Sequence, residues 1–340
     1  MTKKLISILK YILLLALGIG MLWLAFRGVD LNKIIEEISD VNWLWLSLSI
    51  AVSLVAFLSR AQRWNMLIKP TGYSPKLSNT ANSLMVGYLA NLAFPRLGEV
   101  TRCGSLNRIE KVPFDVLLGT VIVERALDVI CLLLCIVMTA VIEFERLGNF
   151  LNQNLFDPLK QKAIMLLGSP LFLVIAVALV LVLIIFIVVQ RNKKGVHEKG
   201  SFMHKASALL KGILEGLRSV RKIEKPGWFI FHTILIWFMY FLMSYLCFFA
   251  LPATQDLSGH AGLFVLVVGG MGMSAPVQGG IGAYHLLVSQ GLLLYGLTHE
   301  HGLAFATLMH TTQTLVVIVF GAISFALLIF AQRKLKNDKS

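Results

Sequence analysis

Three charged residues, Glu124, Arg125 and Asp128, fall inside a long apolar run over 116–140. At the centre of a bilayer-spanning helix each costs about 2.5–3.5 kcal/mol on insertion scales, so three isolated charges would nearly cancel the hydrophobicity that keeps the helix in lipid. Glu124 and Asp128 are four apart and share a helix face, and Arg125 stands three before Asp128. The cluster must therefore face the protein interior or a water-filled cavity. Upstream, Phe94-Pro95-Arg96-Leu97-Gly98-Glu99 interrupts another apolar stretch, and with Arg102 it brings the total to three arginines and three acids. These six residues can neutralise one another as a buried ion network. They can equally receive an anionic head group, because a guanidinium fork binds phosphate through two parallel hydrogen bonds. In that case Arg96, Arg102 and Arg125 contact phosphate, while Glu99, Glu124 and Asp128 hold the forks or exchange protons.

A second interruption, Ala275-Pro276-Val277-Gln278-Gly279-Gly280-Ile281-Gly282, breaks the apolar stretch 261–297. Proline removes a backbone donor and glycine frees the chain, so each interrupted stretch reads as two half-helices meeting at a turn. The second half-helices begin near Gly98 and near Gly282, and helix N-termini carry free N–H groups that suit phosphate. Gly279, Gly280 and Gly282, beside Gln278, let backbone approach a ligand closely or let helices pack tightly. His285 follows this tip inside the apolar stretch, where an imidazole suits a pH-sensitive role. Other signals carry nothing. Gly270-Met271-Gly272-Met273-Ser274-Ala275 matches a dinucleotide fingerprint in letters but lies in no strand–helix unit. There is no Walker A sequence, and His299 and His301 lack the spacing of a helical metal site.

The elements that position these residues are helices in a membrane. The 340 residues are 57% hydrophobic and 14% charged, where soluble domains carry about 25% charged residues. Stretches over 8–26, 41–58, 116–140, 164–190, 228–251 and 303–331 are long enough to cross fully. The net charge of +13 sits between these stretches, where Lys and Arg set orientation and contact anionic lipid; a nucleic-acid partner is not expected. The three N-terminal lysines, the basic segment 191–227 and the C-terminal tail all belong on the cytoplasmic side by the positive-inside rule. Arg60, Arg63, Lys69 and Lys76, read as a loop after the second span, belong there too. Counting spans between these fixed points makes 78–111 enter and leave from the cytoplasm and 261–297 from outside. Each is then a re-entrant hairpin or a pair of crossing helices, and the short half-helices favour re-entry. The halves 1–140 and 164–331 form an inverted-topology repeat, as in many transporters. Both tips share a Pro-x-x-Gly spacing, Pro95 to Gly98 and Pro276 to Gly279. The segment 191–227 reads as an amphipathic helix on anionic lipid, and 31–38 as a shorter one capped at Asp30. The four cysteines lie in or beside apolar segments, as buried thiols do.

Pro95-Arg96-Leu97-Gly98-Glu99-Val100-Thr101-Arg102, then Glu124-Arg125-Ala126-Leu127-Asp128, then Pro276-Val277-Gln278-Gly279-Gly280-Ile281-Gly282 resemble, in that order, a flippase-like membrane family. That family includes the transmembrane region of lysylphosphatidylglycerol synthases and relatives labelled dolichol-phosphate-glucose synthetases. The resemblance covers nearly the whole chain. It implies a polytopic plasma-membrane (inner-membrane) protein that moves a lipid between leaflets. It also implies that the soluble aminoacyl-transfer domain of the synthases is absent, since the sequence ends at Ser340, just past its last span. One departure stands out: relatives often carry a glutamate where this chain has His285.

The expectation is thus an all-α, polytopic membrane protein of about six full spans and two oppositely oriented re-entrant hairpins, both termini cytoplasmic. It would translocate an anionic phospholipid or lipid-linked intermediate without covalent chemistry. The rivals are a lipid-phosphate transferase using Glu124 or Asp128 as base, and a non-transporting accessory protein. Membrane lipids are the expected partners and a homo-oligomer is left open; no cofactor or metal is expected.

Overall fold

The structure, a computed structural model, describes residues 2–151 and 223–337. The chain divides into two compact units, Met1–Ile142 with Gly212–Ser340, and Glu143–Lys211. The span expected over 164–190 and most of the basic segment 191–227 lie outside the described residues.

All regular structure among the described residues is helical. That follows from the solvent, because a bilayer offers no partner for backbone N–H and C=O groups and a helix satisfies its own. In the first unit α1 (Thr2–Phe26), α2 (Leu31–Ser39), α3 (Trp43–Ile68), α4 (Leu77–Ala93), α5 (Leu97–Glu110) and α6 (Phe114–Ile142) come before the division. In the second unit, α7 (Phe144–Leu151) is described, with Arg146 paired to Glu143 at 2.9 Å. The first unit resumes with α8 (Pro226–Phe248), α9 (Gly259–Ser274), α10 (Ala283–Leu292) and α11 (His299–Asn337). Asp30 caps α2 as its sequence position predicts, accepting from the Asn32 amide at 3.0 Å, and Asn42 caps α3 in the same way.

Four described helices are long and apolar enough to cross a membrane: Trp43–Thr71, Phe114–Ile142, Pro226–Phe248 and His299–Arg333. A fifth candidate joins Ile12–Phe26 to Leu31–Ser39 across a bend of 86°. The apolar faces of these helices point outward as well as inward. On α6, Leu134, Val137 and Val141 are 64%, 60% and 71% exposed. A contiguous patch of that kind is untenable in water and natural against lipid tails.

α3 departs from the sequence reading in one respect that matters for function. Its apolar span was expected to end at 58, with Arg60 and Arg63 in a loop. Instead the helix continues to Ile68, because Ala61, Trp64, Leu67 and Ile68 keep the buried face going and no breaker occurs before Pro70. Arg60 and Arg63 are therefore buried inside it, and the positive charge left at that end is that of Lys69 and Lys76.

Both interrupted stretches fold into helical hairpins. In the first, α4 and α5 meet through Phe94, Pro95 and Arg96. Their backbones touch: a Cβ on Gly98 would collide with the Gly87 carbonyl, and one on Gly87 would lie 2.8 Å from the Gly98 carbonyl. In the second, α9 and α10 meet through a glycine-rich turn, and a Cβ on Gly272 would lie 2.8 Å from the Tyr284 Cα. The second tip rests on α1, where a Cβ on Gly282 would meet the Gly18 carbonyl, and it approaches α4 through Gly279 and Leu92.

Candidate functional site

Three helices assemble one charge cluster. Glu124 and Asp128 come from α6, Arg60 and Arg63 from α3, Arg102 from α5, and Arg125 from α6 itself. Glu124 is fully buried. Its carboxylate lies 2.6 Å from Arg60, 2.9 Å from Arg102, 3.1 Å from Arg125 and 3.5 Å from Arg63. Asp128 lies 2.6 Å from Arg63, 3.0 Å from Arg60 and 3.3 Å from Arg125. Four guanidinium groups thus face two carboxylates, an excess of two positive charges in low-dielectric surroundings. Taking such ions out of water costs several kcal/mol each, so the cluster stands only because each partner compensates another.

Aromatic groups hold the guanidiniums in place. Arg102 stacks over the Trp64 ring at 4.6 Å, and the Trp64 indole N–H donates to the Thr120 hydroxyl at 2.9 Å. Arg60 donates to the Tyr240 hydroxyl at 2.9 Å and lies 5.9 Å from the Tyr88 ring. These contacts fix the planes of the forks, which decides where their remaining N–H groups aim.

Beside the cluster lies a cavity of about 570 Å3. Its polar wall carries Arg60, Tyr88, Arg96, Glu99, Arg125 and Tyr240; Gly279, Gly280 and His310 bound it at the second hairpin tip; Val265, Leu266, Met273 and Val317 supply an apolar side. Several polar atoms on this wall are buried without a hydrogen-bond partner among the described residues: Tyr88 Oη, Glu99 Oε2 and Arg125 Nε. A buried polar atom left in that state costs about 1–3 kcal/mol, and orphans gathered on one wall mark a place built to meet something polar. The mixture of a charged end and an apolar side is the usual make-up of a ligand pocket.

The residues singled out from the sequence divide into three groups. Arg96, Glu99, Arg125, Gly279 and Gly280 line the cavity. Arg102, Glu124 and Asp128 stand behind the wall, in the ion network. Gln278, Gly282 and His285 are off the wall. Gly282 takes φ +81° and gives α1 room to approach, so its glycine serves packing. His285 is buried 4.8 Å from the His310 ring and beside Phe26. The backbone-amide reading of the tips also changes. The Gly98 N–H is taken by Asn91 Oδ1 at 2.6 Å, and the N-terminus of α10 lies against α1. Side-chain guanidiniums, not free helix amides, are what this site offers an anion.

Arg60, Arg63, Tyr88, Tyr240 and His310 were not among the residues picked from the sequence. The two arginines had a visible signal, since they continue the helical spacing of Ala56, Trp64 and Leu67 with no breaker between. His310 Nε2–H donates to the Gly279 carbonyl at 2.8 Å and so ties α11 to the second tip. Only the folded chain brings those two residues, 31 apart, together.

Residues 11–321 match the family described as the lysylphosphatidylglycerol synthase TM region. A UPF0104 membrane protein of Methanocaldococcus jannaschii is 28% identical over 126 residues, a match that spans 36% of this chain and 38% of that protein. No solved structure matches the chain.

Proposed function

The chain belongs to the family of the lysylphosphatidylglycerol synthase transmembrane region, and from that premise we propose that it is a lipid flippase that moves a phosphate-bearing lipid between leaflets without covalent chemistry. The observation that carries the reading is the excess of two guanidinium charges, with unpaired N–H groups, at the polar end of a cavity whose other side is apolar. A lipid head group enters that cavity while its acyl chains stay in the bilayer. Arg96 and Arg125 bind the phosphate; the Arg125 side chain is 40% exposed and is the member of the network freest to exchange a carboxylate for a ligand. Glu124 and Asp128 hold Arg60, Arg63 and Arg102 in register.

In this proposal the two hairpins are re-entrant and oppositely oriented, making the inverted repeat that the charge parity of the sequence calls for, with both termini in the cytoplasm. Arm length supports it: α5, α9 and α10 have 14, 16 and 10 residues, short of the roughly 20 that cross a bilayer. Their tips meet beside the cavity, as interrupted helices do around transporter sites.

A second reading, a purely structural ion network, has one observation on its side: every guanidinium of the cluster already reaches a carboxylate within 3.5 Å. Lipid translocation in proteoliposomes separates the two. Arg125→Ala is expected to yield a folded protein that has lost translocation; wild-type translocation by that variant would leave the cluster as structure alone. Mass spectrometry of co-purified lipids, with an Arg96→Ala/Arg125→Ala double variant alongside, then names the lipid.

A further inference from the structure

A second concavity, of about 820 Å3, shares no lining residue with the first. It runs along α3 and α8 on a face of α3 different from that of Arg60 and Arg63. At one end stand Lys69, Glu224 and Lys225. Along its length the walls are mostly apolar, with Val55, Leu58, Met66 and Leu235, interrupted by Gln62 and by Ser59 and His232, which pair with each other at 2.8 Å. Trp228, 58% exposed, lies in the first turn of α8 next to the charged end. The charged end coincides with the ends of two candidate spans, the C-terminus of Trp43–Thr71 and the N-terminus of Pro226–Phe248.

Length and charge name the occupant. From Val55 to Met66 along the groove is eleven residue steps, about 16 Å of helix. One leaflet contributes about half of the ~30 Å hydrocarbon core. The mostly apolar walls therefore cover the depth of one leaflet and stop where head groups begin. There a tryptophan and two lysines stand, the residue types that sit at head-group level and attract anionic lipid. The volume falls within the ordinary range of small-molecule sites. Lys69 is held by Glu224 at 2.6 Å, with both side chains more than half exposed, so the pair opens at little cost to an incoming phosphate.

We propose that this groove is a phospholipid-binding site separate from the cavity, with one acyl chain along α3 and α8 and the lipid phosphate on Lys69 and Lys225. The site stands whether or not the cavity translocates lipid. Glu224 limits its preference for anionic head groups, because it competes for the Lys69 ammonium.

The test uses the full chain in phosphatidylcholine nanodiscs doped with phosphatidylglycerol, with retained phosphatidylglycerol counted by native mass spectrometry. Lys69→Ala/Lys225→Ala is expected to lower retention about tenfold, Lys69→Arg/Lys225→Arg to restore it, and Leu58→Trp to lower it by filling the wall. Glu224→Gln, which frees Lys69, is expected to raise retention about two- to fivefold, a gain that damage to the fold would not produce. The loss in the double alanine variant must be the same in an Arg125→Ala background, where the cavity site is disabled. The proposal is overturned if the double alanine variant retains wild-type phosphatidylglycerol, if the loss disappears in that background, or if a polypeptide in place of lipid is retained.

Discussion

In the hairpin of α4 and α5 the arms touch where Gly87 meets Gly98, and in that of α9 and α10 they touch where Gly272 meets Tyr284. Each uses a missing side chain to bring two helix backbones together, the device that packs helices in lipid where no hydrophobic force drives them. The turns between the arms are unlike. The first places Arg96, a residue with a Cβ, at φ +64°, and carries Glu99 and Arg102 just beyond it. The second gives positive φ to Gly279, Gly280 and Gly282 and holds no Asp, Glu, Lys or Arg from 274 to 285. Left-handed backbone is costly for most residues and free for glycine, so the first tip accepts strain to present charge while the second relaxes to fit closely against α1 and α4. A broken apolar stretch is thus one backbone solution used for two ends: one tip brings chemistry to the cavity, the other supplies its wall.

The contrast is sharpest at the ion network behind the first tip. Removing the Glu124 carboxylate strands the buried Arg102 and leaves Arg60, Arg63 and Arg125 to share Asp128 alone, and stranding one member of a buried ion pair costs about 3–5 kcal/mol. Glu124→Ala should therefore produce the largest loss of thermal stability in detergent of any single change at either tip. A melting curve like that of the natural protein would mean that water, not carboxylate, neutralises the guanidiniums.

Close approach of the arms comes next. Gly98→Ala and Gly272→Ala each force a methyl group into neighbouring backbone, an overpacking that costs about 1–3 kcal/mol. Gly282→Ala does the same against α1 and adds an unfavourable φ. Gly104→Ala, on α5 with open space where the methyl would go, is the control and should be neutral or slightly stabilising. If Gly98 tolerates alanine and Gly272 does not, the two hairpins are not the same device and the comparison fails.

How much of this could be read from the chain follows from which physical signals are local. Helix positions, both breaks and the expense of Glu124, Arg125 and Asp128 in an apolar run are local, and each was legible. The cap at Asp30 was legible for the same reason. What misled was a rule applied at a boundary: Arg60 and Arg63 were counted as loop charges because hydropathy falls at 59, whereas helical spacing, not hydropathy, decides where α3 ends. Their partners Glu124 and Asp128 lie more than 60 residues away. Gly282 shows the opposite limit. Its need for glycine was visible, but whether that need came from a ligand or from a packed helix depended on α1, over 250 residues earlier. The groove at Lys69 and Lys225 was invisible for the same reason, since it exists only where α3 and α8 lie side by side.

The smallest expected effect tests whether the second tip is held by side chains at all. It has one described hydrogen bond from a side chain, His310 Nε2–H to the Gly279 carbonyl at 2.8 Å, and otherwise closes through its own backbone turns, Gly280 to Val277 and Ile281 to Gln278. Losing a single hydrogen bond of this kind costs about 0.5–1.5 kcal/mol. His310→Ala should therefore lower stability slightly and speed amide exchange at 279–281, measurable by hydrogen–deuterium exchange, while leaving exchange at 96–99 unchanged. If exchange instead quickens at both tips, the tips act as one unit through the contact of Gly279 with Leu92. The cavity would then have a single movable boundary in place of one charged wall and one packed wall.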